Sequence, residues 1–160
     1  MRRALLLAGV ALLLSQPAAA AGERGAALRA CMIGAARLHK VQPFLLAVLL
    51  RVEGGQLGIR MANTNGTGDL GPFQVNEIWL PRLATHWSVS VEEARVFVRD
   101  NLCANAEAAA WILSLVLEDA KGDLWEGVAR YHSITPALQQ IYLRKVLDAA
   151  RGLRKEAARG

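Results

Sequence analysis

The chain has 160 residues, of which 53% are hydrophobic, and its formal net charge is +5 at pH 7. This length suits one domain, and the positive charge is uneven: residues 21–143 hold 11 basic and 12 acidic residues, whereas residues 144–160 hold 6 basic and 2 acidic. A near-neutral body argues against a nucleic-acid-binding face, so no nucleic-acid partner is expected.

The first 20 residues have the pattern of a cleavable secretory signal peptide. A short basic start, Met1-Arg2-Arg3, precedes an apolar run over residues 4–14 that is too short to span a bilayer. Small residues up to Ala20 then offer a cleavage site. We therefore expect export, with no transmembrane anchor left after cleavage. Loss of the two arginines would lower the net charge from +5 to +3.

The remaining chain is predicted to be almost all helical. Periodicity and capping signals predict helices over residues 26–39, 43–52, 75–83, from Ser90 onward, and over 101–121, 123–130 and from Thr135-Pro136 toward the C-terminus. The helix over 43–52 is apolar enough to predict a central position, with four helices around it. Glycines and turn formers predict a loop or small β-hairpin over residues 57–72. Residues 147–160 are expected to be a basic, frayed tail after a domain of residues 21–146.

Glu53 stands out because it ends the apolar run and is followed at once by two glycines. Gly54 can take the left-handed position that ends a helix. An apolar neighbourhood and the nearby helix C-terminus would both raise the pKa of Glu53. A carboxylic acid that keeps its proton near neutral pH can act as a general acid. The alternative is an exposed glutamate paired with Arg51 or Arg60.

A block rich in amides and glycines, residues 63–76, begins ten residues later. Its amide side chains, suited to hydroxyl and acetamido groups, are Asn63, Asn65, Gln74 and Asn76. Its glycines, which let the backbone approach a ligand, are Gly66, Gly68 and Gly71. Asn63 and Asn65 are more typical of turn formers, whereas Gln74 and Asn76 would share one face of an extended segment. The block favours a sugar-binding site.

Two cysteines, Cys31 and Cys103, remain after signal cleavage. In an exported protein such a pair usually bonds, although two free buried thiols are the alternative. The sequence has no C-x-x-C and no Cys/His ligand cluster, so no metal site is expected.

Three segments together resemble the SLT-type lytic transglycosylases of bacteria, closest to small members that accompany secretion, conjugation and pilus machines. The segments are VQPFLLAVLLRVEGG, NTNGTGDLGPFQVN and ARYHSITP, in this order, within residues 27–146. The resemblance implies a lysozyme-like fold, mainly α with a small loop or β-hairpin region beside a cleft. It also implies a periplasmic enzyme whose partner is peptidoglycan, working without cofactor or metal, with components of such a machine as further partners.

The resemblance also implies roles for individual residues. Glu53 would be the sole acid/base, protonating the bond between N-acetylmuramic acid and N-acetylglucosamine and then taking the proton of the C6 hydroxyl, which leaves a 1,6-anhydro end. The residues implied in substrate binding are Gly71, Phe73, Gln74, Asn76 and Tyr131, with the hydroxyl of Tyr131 near the acid. Gly54 departs from the family pattern, in which serine often follows the catalytic glutamate.

Asp69 leaves a second mechanism open. The middle segment is also similar to c-type lysozymes, and Asp69 falls at their second carboxylate. A retaining glycosidase needs such a group about 5 Å from the acid, so a muramidase hydrolase that uses Glu53 and Asp69 is an alternative. Asp69 is instead expected to hold the loop or position substrate. A third reading is a non-lytic peptidoglycan-binding scaffold.

Overall fold

A computed structural model describes residues 16–159. Residues 1–15, most of the predicted signal peptide, lie outside the described residues. The elements are α1 (Gln16–Leu38), α2 (Pro43–Glu53), β1 (Arg60–Ala62), β2 (Gly68–Leu70), β3 (Val75–Asn76), a 3₁₀ turn (Glu77–Trp79), α3 (Leu80–Trp87), α4 (Val91–Asp100), α5 (Leu102–Asp119), α6 (Leu124–His132) and α7 (Pro136–Ala157). The predicted mainly helical fold with a small β region is therefore confirmed.

Short polar side chains fix where several helices begin, because they accept hydrogen bonds from backbone N–H groups that lack a partner in the first turn. Ser90 and Glu93 form the predicted capping box at the start of α4. Asn101 accepts from the N–H groups of Cys103 and Ala104, both at 3.0 Å, and Asp123 does the same for α6. The predicted capping box is thus confirmed, and Asn101 and Asp123, predicted as the first residues of their helices, are the N-caps of α5 and α6.

The three strands form one antiparallel sheet in the order β1-β2-β3. The predicted hairpin over residues 57–72 is present as β1 and β2, but the helix predicted over 75–83 is wrong in its first part. Val75 and Asn76 pair with Leu70 and Asp69 of β2, and the α-helix begins only at Leu80. Pairing with the preceding strand, β2, overrode the local helical pattern.

The central helix is α5, which corrects the prediction that the helix over 43–52 is central. Alanines make up much of its buried surface, which also includes Ile112, Leu113 and Val116. Small side chains let α1, α4 and α6 all pack against it. Only Leu46, Val48 and Leu49 of α2 are fully buried, so α2 lies at the side of the core.

The segment predicted as a frayed tail is helical, since α7 continues to Ala157. Leu153 packs against the core, and Glu156 accepts a hydrogen bond of 2.7 Å from Arg51 at the end of α2. The tail region therefore braces the helix that carries Glu53. Among residues 16–159, no helix is both long and apolar enough to span a bilayer.

The predicted disulfide is confirmed: Cys31 of α1 bonds to Cys103 of α5, with the two Cα atoms 4.8 Å apart. It closes a loop between residues 72 positions apart in the sequence. Cross-linking positions this far apart restricts the unfolded chain.

Replacing both cysteines by alanine is expected to lower the free energy of unfolding by about 4 kcal/mol, the loop-closure value for this separation. Urea unfolding of the wild type and the double variant measures the difference. Dithiothreitol should weaken the wild type and leave the double variant unchanged. A loss below about 1 kcal/mol would mean that the cross-link does not restrict the unfolded chain as this value assumes.

Candidate active site

Glu53 is the last residue of α2, and the backbone turns away directly after it. Gly54 has φ 59° and ψ 23°, and its N–H donates to the carbonyl of Leu50. The next N–H, of Gly55, donates to the carbonyl of Pro72 at 3.1 Å. The end of α2 is thus tied to the loop between β2 and β3.

The carboxylate of Glu53 has one side-chain hydrogen-bond partner in the described structure, Tyr142 of α7. The tyrosine hydroxyl donates to Oε1 at 2.6 Å. The arginines considered as surface partners bind elsewhere: Arg51 pairs with Glu156, and Arg60 pairs with Glu77. The exposed, ion-paired alternative for Glu53 does not occur.

Burial raises the pKa of Glu53 to about 7, and the negative charge of Asp69 acts in the same direction. The hydrogen bond from Tyr142 and the positive charge of Lys145 oppose this rise. Since an acid/base group works best with a pKa near the working pH, Glu53 can both give and take a proton at neutral pH.

Asp69 lies in β2 and is held from the neighbouring strand. The side-chain amide of Asn76, its register partner, donates to Oδ1 at 2.7 Å and to the hydroxyl of Thr67 at 3.1 Å. The amide oxygen of Asn76 accepts from the N–H of Ile78 and so begins the 3₁₀ turn. Asn76 therefore orients Asp69 beside Glu53 and also has a structural task.

Gln74 is brought against the turn after Glu53. Its backbone is left-handed, with φ 48°, and its Nε2 donates to the carbonyl of Gly71 at 2.9 Å. A Cβ at Gly55 would lie 2.4 Å from that same Nε2 and 2.1 Å from the carbonyl oxygen of Gly71. Only glycine, which has no side chain, fits at position 55. Gln74 is therefore held against Gly55, the second residue after Glu53.

Tyr131 is bonded to the backbone of the loop that contains Phe73. The hydroxyl of Tyr131 donates to the carbonyl of Phe73 at 3.2 Å. Burial, and then the charge of Glu53, raise the pKa of Tyr131, so the two groups are near each other without a direct bond. The side chain of Phe73 is completely buried and the backbone of Gly71 is buried too, so both residues support the loop from inside and neither offers a side chain to a ligand.

Asn63 and Asn65, in the first half of the amide-rich block of residues 63–76, act as the predicted turn formers. Asn65 accepts from the N–H and the hydroxyl of Thr67, at 3.1 and 2.8 Å. Asn63 donates to the same hydroxyl at 3.2 Å. Both shape the β1–β2 turn.

Asn105 of α5 was missed by the sequence analysis, although it positions the whole loop. It is completely buried, and its amide donates to the carbonyls of Leu70 and Val98 at 3.0 and 2.9 Å. Its oxygen accepts from the N–H of Phe73 at 2.9 Å. An asparagine in an alanine-rich helix gives no local sign of this role.

Tyr142 was also missed, because 89 residues separate it from Glu53. It is buried on α7 together with Val146, one turn later, and a buried tyrosine hydroxyl needs a partner. The ring of His132 stacks on Tyr142, with centroids 4.5 Å apart and planes 2° apart. Burial lowers the pKa of His132, which favours its neutral form.

The chain matches no known protein-family model and no curated protein.

Glu53→Gln is expected to stabilise the fold above pH 7. The pKa of Glu53 rises on folding from its ordinary 4.5 to about 7, so the folded chain binds more protons between these values and loses stability as pH rises through them. Glutamine does not titrate, so the variant avoids this loss of folding free energy, which is on the order of 2 kcal/mol for a partly buried group. Urea unfolding should show the gain at pH 8 and no gain at pH 4. Equal stability at pH 8 would contradict the raised pKa.

Tyr142→Phe is expected to raise the pKa of Glu53 above 7, because it removes the hydrogen bond that favours the carboxylate. Carbon-13 NMR titration of the glutamate side-chain carboxyl measures this. Tyr131→Phe is the matched control, since that hydroxyl donates to a backbone carbonyl. An equal rise in both variants would show that the effect is not due to the bond at Oε1.

Proposed function

We propose that this chain is a peptidoglycan lytic transglycosylase with a lysozyme-like fold. One observation carries the proposal: a single carboxylic acid with a pKa near 7 ends a core-facing helix, held by one tyrosine hydroxyl beside an amide-rich loop. The resemblance to SLT-type enzymes supports the proposal as well, since Asp69 of the second segment and Tyr131 of the third are close enough to Glu53 to interact with its charge.

The proposed reaction uses Glu53 twice. Protonated Glu53 first gives its proton to the glycosidic oxygen between N-acetylmuramic acid and N-acetylglucosamine, and that bond breaks. The carboxylate then takes the proton of the C6 hydroxyl as its oxygen attacks C1, which closes the 1,6-anhydro ring. With Oε1 accepting from Tyr142, the transferable proton belongs on Oε2. A pKa near 7 suits both steps, because neither form of the acid is strongly favoured.

The surroundings of Glu53 support a site for neutral sugars. Gln74, Asn76 and Asp69 are partly exposed around it, and none of them is committed to an ion pair in the described structure. Asp69 would face the positive charge that develops on the sugar. We further propose that the enzyme acts after export to the periplasm and opens the wall locally for an envelope-spanning secretion, conjugation or pilus machine.

A muramidase hydrolase is the second candidate, and the charge of Asp69 favours it. Asp69 is close enough to Glu53 to raise its pKa, as expected for a pair of carboxylates that share a glycosidase site. The hydrogen bond from Asn76 to Oδ1 holds Asp69 across the strand pair and weighs against a nucleophile that must move onto the sugar.

Mass spectrometry of products from purified protein on intact sacculi tests the proposal. We expect anhydromuramyl ends from the wild type and a loss of several orders of magnitude in rate for Glu53→Gln. Exposed Glu118 of α5 provides the matched control, Glu118→Gln, which should keep full activity.

Reducing ends as the sole product would transfer the assignment to a hydrolase. In that case Asp69→Asn should abolish turnover, whereas a transglycosylase should keep its anhydro product at a lower rate. Glycan binding without any product would instead support a non-lytic scaffold.

A further inference from the structure

Two of the three histidines converge on one carboxylate away from Glu53. Nε2 of His39 lies 2.5 Å from Oε1 of Glu107, and Nε2 of His86 lies 3.1 Å from the same oxygen. His39 follows α1, His86 belongs to α3 and Glu107 to α5, so three separate segments supply the cluster. One possible ligand atom from each of the three residues lies within 4.8 Å of the other two.

Neighbouring aromatic side chains hold this cluster in place. Nε1 of Trp87 donates to the other carboxylate oxygen of Glu107 at 2.6 Å. The ring of His86 stacks on Trp111, with centroids 4.6 Å apart and planes 14° apart. Such outer contacts fix the direction in which a ligand atom points.

The charge of Glu107 also calls for a cation. Its side chain is 18% exposed, and within residues 16–159 its ion pairs are with His39 and His86 alone. No lysine or arginine pairs with Glu107 within that range, so its carboxylate meets only ring nitrogens, those of His39, His86 and Trp87. A divalent cation among the three groups would add positive charge beside this partly buried carboxylate.

We propose that His39, His86 and Glu107 form a zinc site. Two imidazole nitrogens and one carboxylate oxygen are a common zinc ligand set, with bonds of about 2.0–2.2 Å. Ligand atoms on one tetrahedral zinc are then about 3.3 Å apart. The spacing of His86 and Glu107, 3.1 Å, is already close to this value. Side-chain movement of about 1.5 Å must open the 2.5 Å spacing at His39 and close the widest spacing, which is up to 4.8 Å. On binding, each histidine carries its proton on Nδ1 and offers Nε2 to the metal.

The fourth position would belong to water. The side chain of His86 is 32% exposed and lines a shallow groove of about 470 Å³ together with Arg82, Thr85 and Trp111. A second groove, of about 400 Å³, runs along Cys31, Cys103 and Glu107. Neither groove is lined by Glu53, so this zinc site is independent of the proposed catalytic site.

The position of the cluster gives the metal a structural task. Glu107 lies one helical turn after Cys103, so the site would add a second cross-link between α1 and α5 beside the disulfide. It would also attach α3, which the disulfide does not reach. Because the metal binds only the folded chain, zinc should stabilise it.

Zinc titration of the full chain, purified without a histidine tag and treated with chelator, tests the proposal. Isothermal titration calorimetry and metal analysis after dialysis should give one zinc per chain, and zinc should raise the melting temperature. Replacing zinc by Co²⁺ should give the strong visible absorption of a tetrahedral site. Mg²⁺ should not bind, because it prefers oxygen ligands.

His86→Asn should weaken zinc binding at least about tenfold and remove the thermal shift. His86 is partly exposed, so this variant is expected to fold, which circular dichroism checks. The matched control is His132→Asn, which removes the third histidine and should bind zinc as the wild type does. Absence of saturable zinc binding, or equal affinity in His86→Asn and the wild type, would overturn the site.

Discussion

One buried side chain, Asn105, connects the sheet to the helical core. Its three hydrogen bonds satisfy backbone groups of Leu70, Phe73 and Val98 that otherwise would be buried without partners. Unsatisfied buried polar groups cost about 1–3 kcal/mol each, so the loop has one strongly preferred position on α5. Glu53 belongs to α2, whereas Asp69 and Asn76 belong to the sheet. These two residues therefore lie near Glu53 only when Asn105 holds the loop in this position.

The sequence predicted the parts of the fold that are decided locally. Ser90, Asn101 and Asp123 act as helix caps through bonds to residues two or three positions away, so short patterns identify them. The sequence failed where packing between elements decides. Val75 pairs with β2 against its local helical pattern, and α5 becomes central because α1, α4 and α6 all pack against it.

The same distinction applies to the site. Glu53 was found because an acid at the end of an apolar run, before two glycines, is anomalous within a dozen residues. Tyr142 lies 89 residues from Glu53, and Asn105 lies 32 residues from Phe73; both look ordinary on their own helices. The cluster of His39, His86 and Glu107 was missed for the same reason, since its members are spread over 69 consecutive positions. Only the folded chain brings such groups together.

The two glycines after the acid are constrained in different ways. Gly54 needs a left-handed backbone but has open space where a Cβ would be, whereas at Gly55 a Cβ would meet the carbonyl of Gly71. Asparagine and aspartate enter the left-handed region more readily than other residues with side chains. A randomised library selected for folded protein would therefore recover a few polar residues at position 54 and glycine alone at position 55. Of these two adjacent glycine positions, position 54 would thus vary and position 55 would stay invariant.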